Sequence, residues 1–187
     1  MKSVFKFIGA LITATILLLP ASYAQERKFI GGGAAMYPSK NIIEYSANSK
    51  QHTTFVAAIK AAGLADTLSG AGPFTLFAPT NQAFNKLPKG SANLLMKPEN
   101  KDALTKVLTT HVVFSKINST ELINMIKNNG GSYKANTMQG GQLTFTLKEK
   151  NIFITDEKGS IGKITIADVN QSNGVVHVIN TALMPKS

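Results

Sequence analysis

The chain has 187 residues, a formal net charge of +10 and no cysteine. The absence of cysteine excludes disulfide bonds and thiolate metal ligands, and the length suffices for one hydrophobic core without such cross-links. The positive charge serves solubility or favours anionic partners such as acidic glycans and lipid headgroups. No nucleic acid partner is expected, because no basic run is interleaved with aromatic residues.

Residues 1–24 are predicted to be a signal peptide. Lys2 and Lys6 flank the start of an apolar run, Phe7–Leu19, and Ser22–Ala24 places small residues where a signal peptidase cleaves. The apolar run is shorter than the ~20 residues of a membrane-spanning helix, so no transmembrane segment is expected after cleavage, a retained N-terminal anchor being the alternative. We therefore expect an exported protein with a net charge of +8, in the periplasm, in the medium or at the cell surface.

Residues 25–36 are predicted to form a flexible leader before a single domain over residues 37–187. The leader contains three successive glycines but lacks the spacing of a phosphate-binding loop. The domain is predicted to begin with helical turns over 41–47 and 64–68, on either side of a clearer helix that starts at Thr53 or Thr54 and ends at Gly63. His52, which precedes this helix, is expected at the surface.

The best-defined stretch of the sequence predicts a strand, a corner and a helix in close succession. Phe74–Ala78 is a short apolar run typical of a buried strand, and Pro79 ends it because proline has no N–H for the ladder. Thr80 or Asn81 then caps a helix with Phe84 on its inner face. We expect this corner to lie in the core and not to form a binding site, since no nucleophile, base or ligand set is near it in sequence.

The remaining elements change from helices to strands along the chain. Helices are predicted over 92–96, 99–110 and 120–128. Strands are predicted over His111–Phe114, Ser132–Met138, Leu143–Leu147, Asn151–Thr155, Lys163–Val169 and Val175–Ile179. Helices followed by strands, with one early strand, indicate an α+β domain.

Three blocks of this sequence resemble fasciclin (FAS1) domains, namely Thr75–Phe84, Leu108–Val113 and Asn173–Ile179. The positions that carry the family's structural motif are Thr75, Phe77, Pro79, Thr80, Asn81, Phe84, Asn173, Gly174 and His177. The resemblance, which covers Tyr37 to Pro185, is to the single-domain secreted bacterial type. It implies the FAS1 fold, a wedge-shaped β-sandwich of about seven strands with several helices packed on it, in agreement with the α+β class.

The resemblance also implies a secreted or surface-attached adhesion or matrix-interaction module, since the family has no common catalytic activity. In animal members of the family, integrin recognition has been placed on a Tyr-His pair and on a Glu-Pro-Asp-Ile-Met motif. Here these positions are Thr110-His111 and Ile166–Asn170, where His111 and Asp168 keep the family residue but the aromatic partner is missing. Integrin binding is therefore not carried over, and Thr110, His111 and Asp168 are the binding residues that the resemblance implies.

The residues themselves give no motif for an enzyme or a metal site. His52, His111 and His177 are widely separated, and Ser160–Lys163 spells S-x-x-K without the partner motifs that this chemistry needs. His111 and His177 lie on apolar faces, where a hydrogen-bonded core residue is expected. Asp168 bonds either nearby backbone amides or a partner.

The predicted function is non-enzymatic cell adhesion or interaction with the extracellular matrix or cell envelope. The expected partner is an extracellular or envelope protein, or an anionic glycan or lipid surface. The alternative is a periplasmic or secreted binder of a small molecule or anionic glycan, with its cleft near the His111 strand. No cofactor and no metal ion are expected, and the chain is expected to be a monomer.

Overall fold

The computed structural model describes residues 29–31, 34–36 and 39–186, and the predicted signal peptide, residues 1–24, lies outside them. Two stretches of the predicted leader, residues 25–36, are described. They are strands β1 (Phe29–Gly31) and β2 (Ala34–Met36), which pair antiparallel. The leader therefore contains paired backbone where no element was predicted, because strands of three residues are too short to show a hydrophobic period.

The helices of the described residues are short, and three of them begin at side-chain caps. They are α1 (Ile42–Ala47), α2 (Thr53–Ala62), α3 (Ala65–Ser69), α4 (Asn81–Asn85), α5 (Ser91–Leu95), α6 (Lys101–Thr110) and α7 (Ser119–Asn128), with a 3₁₀ turn over Pro98–Asn100. Asn41 and Asn118 start α1 and α7 with capping boxes that Glu44 and Glu121 complete. In this part of the chain, no helix is long and apolar enough to cross a membrane.

Seven strands form one sheet in the order β4-β3-β9-β8-β7-β6-β5. They are β3 (Phe74–Pro79), β4 (Val112–Val113), β5 (Ser132–Asn136), β6 (Gln142–Lys148), β7 (Asn151–Thr155), β8 (Ile161–Gln171) and β9 (Gly174–Ile179). β3 and β9 run parallel, whereas all other neighbours are antiparallel. β8 pairs first with β7 and then with β9, and two register shifts bend it where it changes partner.

The bend in β8 brings the two halves of the sheet face to face. Phe77 of β3 meets Phe145 of β6 with 5.2 Å between the ring centroids. The Met138 amide, just beyond β5, donates to the Val112 carbonyl of β4 at 2.7 Å, so the two edges of the sheet almost close into a barrel. The predicted α+β fold of seven strands with several helices packed on them is confirmed, and the two layers of the sandwich are halves of one continuous sheet.

The predicted corner lies in the core, with every residue of β3 buried. Because successive side chains of a strand point to opposite faces, Leu76 packs against the helical layer and Phe77 packs inside the sandwich. Pro79 still pairs with Ile179 of β9, one residue beyond the predicted end of the strand, and Thr80 caps α4 by accepting from the Ala83 amide.

Two local predictions differ from the structure. The strand expected over His111–Phe114 contains only Val112 and Val113, because His111 closes α6 and the Phe114 side chain is 62% exposed. His52, expected at the surface, is 0% exposed and its Nδ1 lies 2.8 Å from the Ser49 hydroxyl. The sequence around His52 could not show this, since the ring is covered by α1, where the Tyr45 ring lies 6.4 Å away between centroids.

Candidate functional site

The predicted binding pair Thr110-His111 lies inside the molecule, where α6 meets β4. Thr110 is 3% exposed and His111 is 0% exposed. His111 donates from Nδ1 to the Val107 carbonyl at 2.8 Å, and its Nε2 accepts from the Leu183 amide at 2.9 Å. Both ring nitrogens are thus engaged, which defines the neutral Nδ1–H tautomer. Burial lowers the pKa of His111 to about 4, against the opposing effects of the Val107 bond and the Asp156 charge.

This burial disagrees with the expectation that Thr110 and His111 form a binding surface. The Thr110 hydroxyl turns back onto its own helix and donates to the Lys106 carbonyl at 2.8 Å. His111 instead links α6 to the C-terminal segment through Leu183. The physical reason is the apolar face of α6, which directs this end of the helix into the core.

His177 and Asp168 form a second internal network, between β9, β8 and α7. The His177 Nε2 donates to the Ile117 carbonyl at 2.9 Å, and its Nδ1 accepts from the Asp168 amide at 3.3 Å. The ring stacks on Phe77 with 5.5 Å between centroids, and burial lowers the pKa of His177. Asp168 adopts a φ of 61° and accepts from the Ser119 amide at 2.6 Å and from the Ser119 hydroxyl. Asp168 thus bonds a backbone amide, but one that lies 49 residues earlier in the chain.

The other residues of the predicted structural motif connect loops to the sheet. The Thr75 hydroxyl donates to the Ser115 carbonyl at 2.5 Å and accepts from the Ile117 amide at 2.9 Å. Asn81 joins the start of α4 to that of α2, because its Oδ1 accepts from the Thr54 amide at 3.0 Å. Phe84 is buried beside the Phe55 ring of α2.

Asn173 and Gly174 close the parallel pair β3–β9 at its N-terminal end. The Asn173 side chain accepts from the Ile42 amide and donates to the carbonyls of Leu68 and Gly70, which ties α1 and the end of α3 to the sheet. A Cβ at Gly174 would lie 2.1 Å from the Phe74 carbonyl oxygen, so only glycine fits this crossing. These motif residues therefore lie in the framework of the fold.

An open groove of about 460 Å³ lies between the α4–α5 region and the C-terminal segment. Its lining residues are Ala83, Lys86, Leu87, Pro88, Ser91, Lys158, Ser160, Thr181, Ala182 and Met184. Ala83 and Ala182 are buried at the floor, whereas Lys86 and Lys158 are exposed at the rim. The groove thus combines an apolar base with positive charge, and no carboxylate is among its lining residues.

Two buried polar side chains hold the C-terminal wall of this groove. Asp156, which is 5% exposed, accepts from the Lys158 and Ser160 amides at 3.0 and 2.8 Å and from the Met184 amide at 2.8 Å. His111 holds the neighbouring Leu183 amide. No residue of the predicted strand His111–Phe114 lines this groove, and Lys86, Lys158 and Asp156 were not among the predicted site residues. The turn that follows Asp156 was recognisable, but its bond to Met184 joins residues too distant in sequence for any local pattern to show.

Several acidic side chains of the described residues bond the backbone, and the glutamates among them are exposed like most of the lysines. Glu44, Glu121, Glu157 and the two aspartates described above accept hydrogen bonds from backbone amides. Among the described residues, Lys97 and Glu99 form an ion pair at 3.7 Å, and both side chains are more than half exposed. No group of three or more His, Asp or Glu in the same residues is arranged to hold a metal ion.

Comparisons with known proteins agree on one family. A model of the Fasciclin domain matches residues 50–185. Protein sll1483 of Synechocystis is 41% identical over 162 residues, which cover 86% of this chain and 82% of that protein. The transforming growth factor-beta-induced protein ig-h3 of Sus scrofa is 34% identical over 148 residues, 79% of this chain but 20% of its own length. The solved structure of a FAS1 domain pair from the insect cell adhesion molecule Fasciclin I superimposes with a TM-score of 0.70 at 17% identity, over 79% of this chain and 52% of that one.

Proposed function

The chain belongs to the fasciclin domain family, and from this membership we propose that it is a non-enzymatic adhesion domain that acts outside the cytoplasm and binds an acidic glycan surface. The relatives of this chain support an adhesion-related extracellular role. We choose an anionic partner because of the positive net charge of this chain. The proposal that the chain is exported rests on the signal peptide predicted over residues 1–24.

The hydrogen bonds of two histidines and two aspartates support the non-enzymatic part of this proposal. His111 and His177 are engaged through both ring nitrogens, and Asp156 and Asp168 accept from backbone amides. A general acid or base must reach a substrate proton, which side chains with these internal partners do not do. These hydrogen bonds therefore favour a binding function over a catalytic one.

The observation that carries the proposal is the excess of positive over negative charge in this chain. Lysines such as Lys86, Lys134 and Lys150 are exposed. The protein therefore presents a mainly positive surface to its surroundings. An acidic polysaccharide has repeated negative charges that meet many separate lysines at once, so it needs no shaped pocket.

Retention on coated beads tests this proposal. The exported chain should bind beads that carry polygalacturonate, but not beads with neutral dextran. Binding should be lost in about 0.5 M sodium chloride, where the Debye length falls to a few ångström. The variant Lys134→Gln/Lys150→Gln should elute at lower salt than the wild type. Equal retention on both polymers, or retention that salt does not change, would contradict the proposal, and binding to anionic phospholipid vesicles alone would assign the partner to lipid headgroups.

Export is tested separately by fractionating cells that express the tagged full-length chain. Cleavage after Ala24 predicts a shortened product outside the cytoplasm, with its N-terminus at Gln25. An uncleaved chain recovered from the cytoplasm would refute export. An uncleaved chain in the membrane fraction would show the retained anchor.

A further inference from the structure

We propose that the groove between the α4–α5 region and the C-terminal segment binds a free fatty acid, with its carboxylate at Lys86 and Lys158 and its alkyl chain along the apolar floor. This goes beyond the proposed function, because binding a glycan surface through scattered lysines needs no groove. The occupant follows from the two chemistries that the groove combines, since an alkyl chain matches the floor and an anionic head matches the rim.

The floor of the groove is suited to an alkyl chain. Ala83 and Ala182 are buried, Leu87 and Met184 are half-buried, and all four of these apolar residues line the groove. Each methylene that leaves water against such side chains favours binding. The volume of about 460 Å³ lies within the usual range for small-molecule sites, ~300–1,000 Å³.

The rim is suited to one negative charge. The Lys86 ammonium donates to the Asn180 carbonyl at 2.6 Å, which holds it at the rim and leaves two of its three N–H donors for a ligand. Lys158 projects from the turn that the Asp156 carboxylate orders through the Lys158 and Ser160 amides. Both lysines therefore have defined backbones and exposed side chains.

The acidic groups nearest in sequence do not cancel this charge at the rim. Asp156 is buried behind the wall, where it accepts from the Met184 amide. Glu157 accepts from the Gln142 amide at 3.3 Å and the Lys186 amide at 3.1 Å, and neither acid lines the groove. The lining also lacks an aromatic ring on which a base could stack, which disfavours a nucleotide.

Isothermal titration calorimetry with three probes tests the proposal. Decanoate should bind the purified chain, decanol should bind at least about tenfold more weakly, and acetate should show no binding, because decanoate alone satisfies both rim and floor. Amide NMR shifts on adding decanoate should centre on residues 86–91, 158–160 and 181–184. Equal affinity for decanoate and decanol, or shifts centred elsewhere, would overturn the proposal.

Matched variants separate the two parts of the site. Lys86→Gln/Lys158→Gln should lower decanoate affinity about tenfold and leave decanol unchanged, whereas Met184→Gln should weaken both. The control Lys134→Gln/Lys150→Gln removes the same charge outside the groove and should bind decanoate like the wild type. A control that loses as much affinity as the groove variant would refute the site and leave only general charge attraction.

The same variants distinguish this proposal from glycan adhesion. If oligogalacturonate instead of decanoate shifts the groove residues, the fatty acid assignment fails and the glycan surface includes the groove. If decanoate binds the groove but the beads do not retain the chain, adhesion to acidic polysaccharide fails and the fatty acid site stands.

Discussion

In His111 and His177, the hydrogen-bond partners of the ring determine which of its two nitrogens carries the proton. His111 Nε2 accepts the Leu183 amide, and His177 Nδ1 accepts the Asp168 amide. A second proton on either ring would point an N–H at another N–H and break the bond that the ring accepts. His52 is also fully buried, and its Nε2 has no hydrogen-bond partner in the described residues. All three rings are therefore stable only in the neutral form.

The free energy of unfolding should consequently fall as the pH is lowered from about 6.5 towards 4. Burial lowers the pKa of His52 and of His111 to about 4, whereas the unfolded chain takes up protons near 6.5. Above that pH both rings are neutral in the folded and in the unfolded state, so their full contribution to stability is present. Below it, only the unfolded state gains protons, so stability is lost. Each of these two histidines contributes up to about 3 kcal/mol to this loss.

Urea denaturation at about pH 7.5, 6, 5 and 4.5 measures the effect. His52→Phe keeps a ring in the same space and removes one titrating group, so its stability should decline less steeply with pH. A free energy of unfolding that stays constant between about pH 7 and 5 would show that the buried rings do not control acid stability.

At the scale of elements, β3 is the strand on which the two layers meet. Its Leu76 faces the helices and its Phe77 faces the second half of the sheet. The Phe77 ring lies between His177 and Phe145, at 5.5 and 5.2 Å between centroids. Removing this ring would therefore leave a cavity between β3, β9 and β6 that none of these paired strands can move to fill.

Phe77→Ala should lower the free energy of unfolding by about 3–5 kcal/mol. Phe114→Ala is the matched control, because the Phe114 ring is 62% exposed and its removal should cost less than about 1 kcal/mol. Both values follow from urea denaturation at neutral pH. Equal costs for the two substitutions would mean that Phe77 does not join the two halves of the sheet.

The elements could be predicted where a local pattern determines them. Alternation in β6 and β7 and the apolar face of α2 are visible in the sequence, and Gly63 marks the end of α2. The bend in β8 could not be predicted, because its register shifts depend on pairing with two different strands. The burial of His52 also depends on a tertiary contact, in which α1 covers a loop that reads as polar.

The candidate groove could not be predicted from the sequence. The sequence pointed to the His111 strand, and the structure places His111 behind the wall, bonded to Leu183. The lysines of the rim come from the residue after α4 and from the β7–β8 turn, so they lie on the same groove only because of the whole fold. No spacing rule connects residues that far apart in sequence.

At the scale of the whole molecule, charge opposes folding more than it supports it. The chain without residues 1–24 has a net charge of +8. The ion pair between Lys97 and Glu99 in the described residues is exposed, and pairs of that kind contribute little to stability. Several other carboxylates bond backbone amides instead of lysines. The dominant long-range interaction is therefore repulsion among lysines.

Added sodium chloride should consequently stabilise this protein. Raising the salt concentration from about 0.01 to 0.5 M shortens the Debye length from ~30 Å to a few ångström, which screens repulsion between distant lysines. If that repulsion costs about 1 kcal/mol, Tm should rise by about 2–4 °C, as differential scanning calorimetry can measure. Lys134→Gln/Lys150→Gln should unfold at a higher temperature than the wild type in low salt and gain less from added salt, because it has less charge to screen. A Tm that falls with salt would show instead that attractive charge pairs hold the fold together.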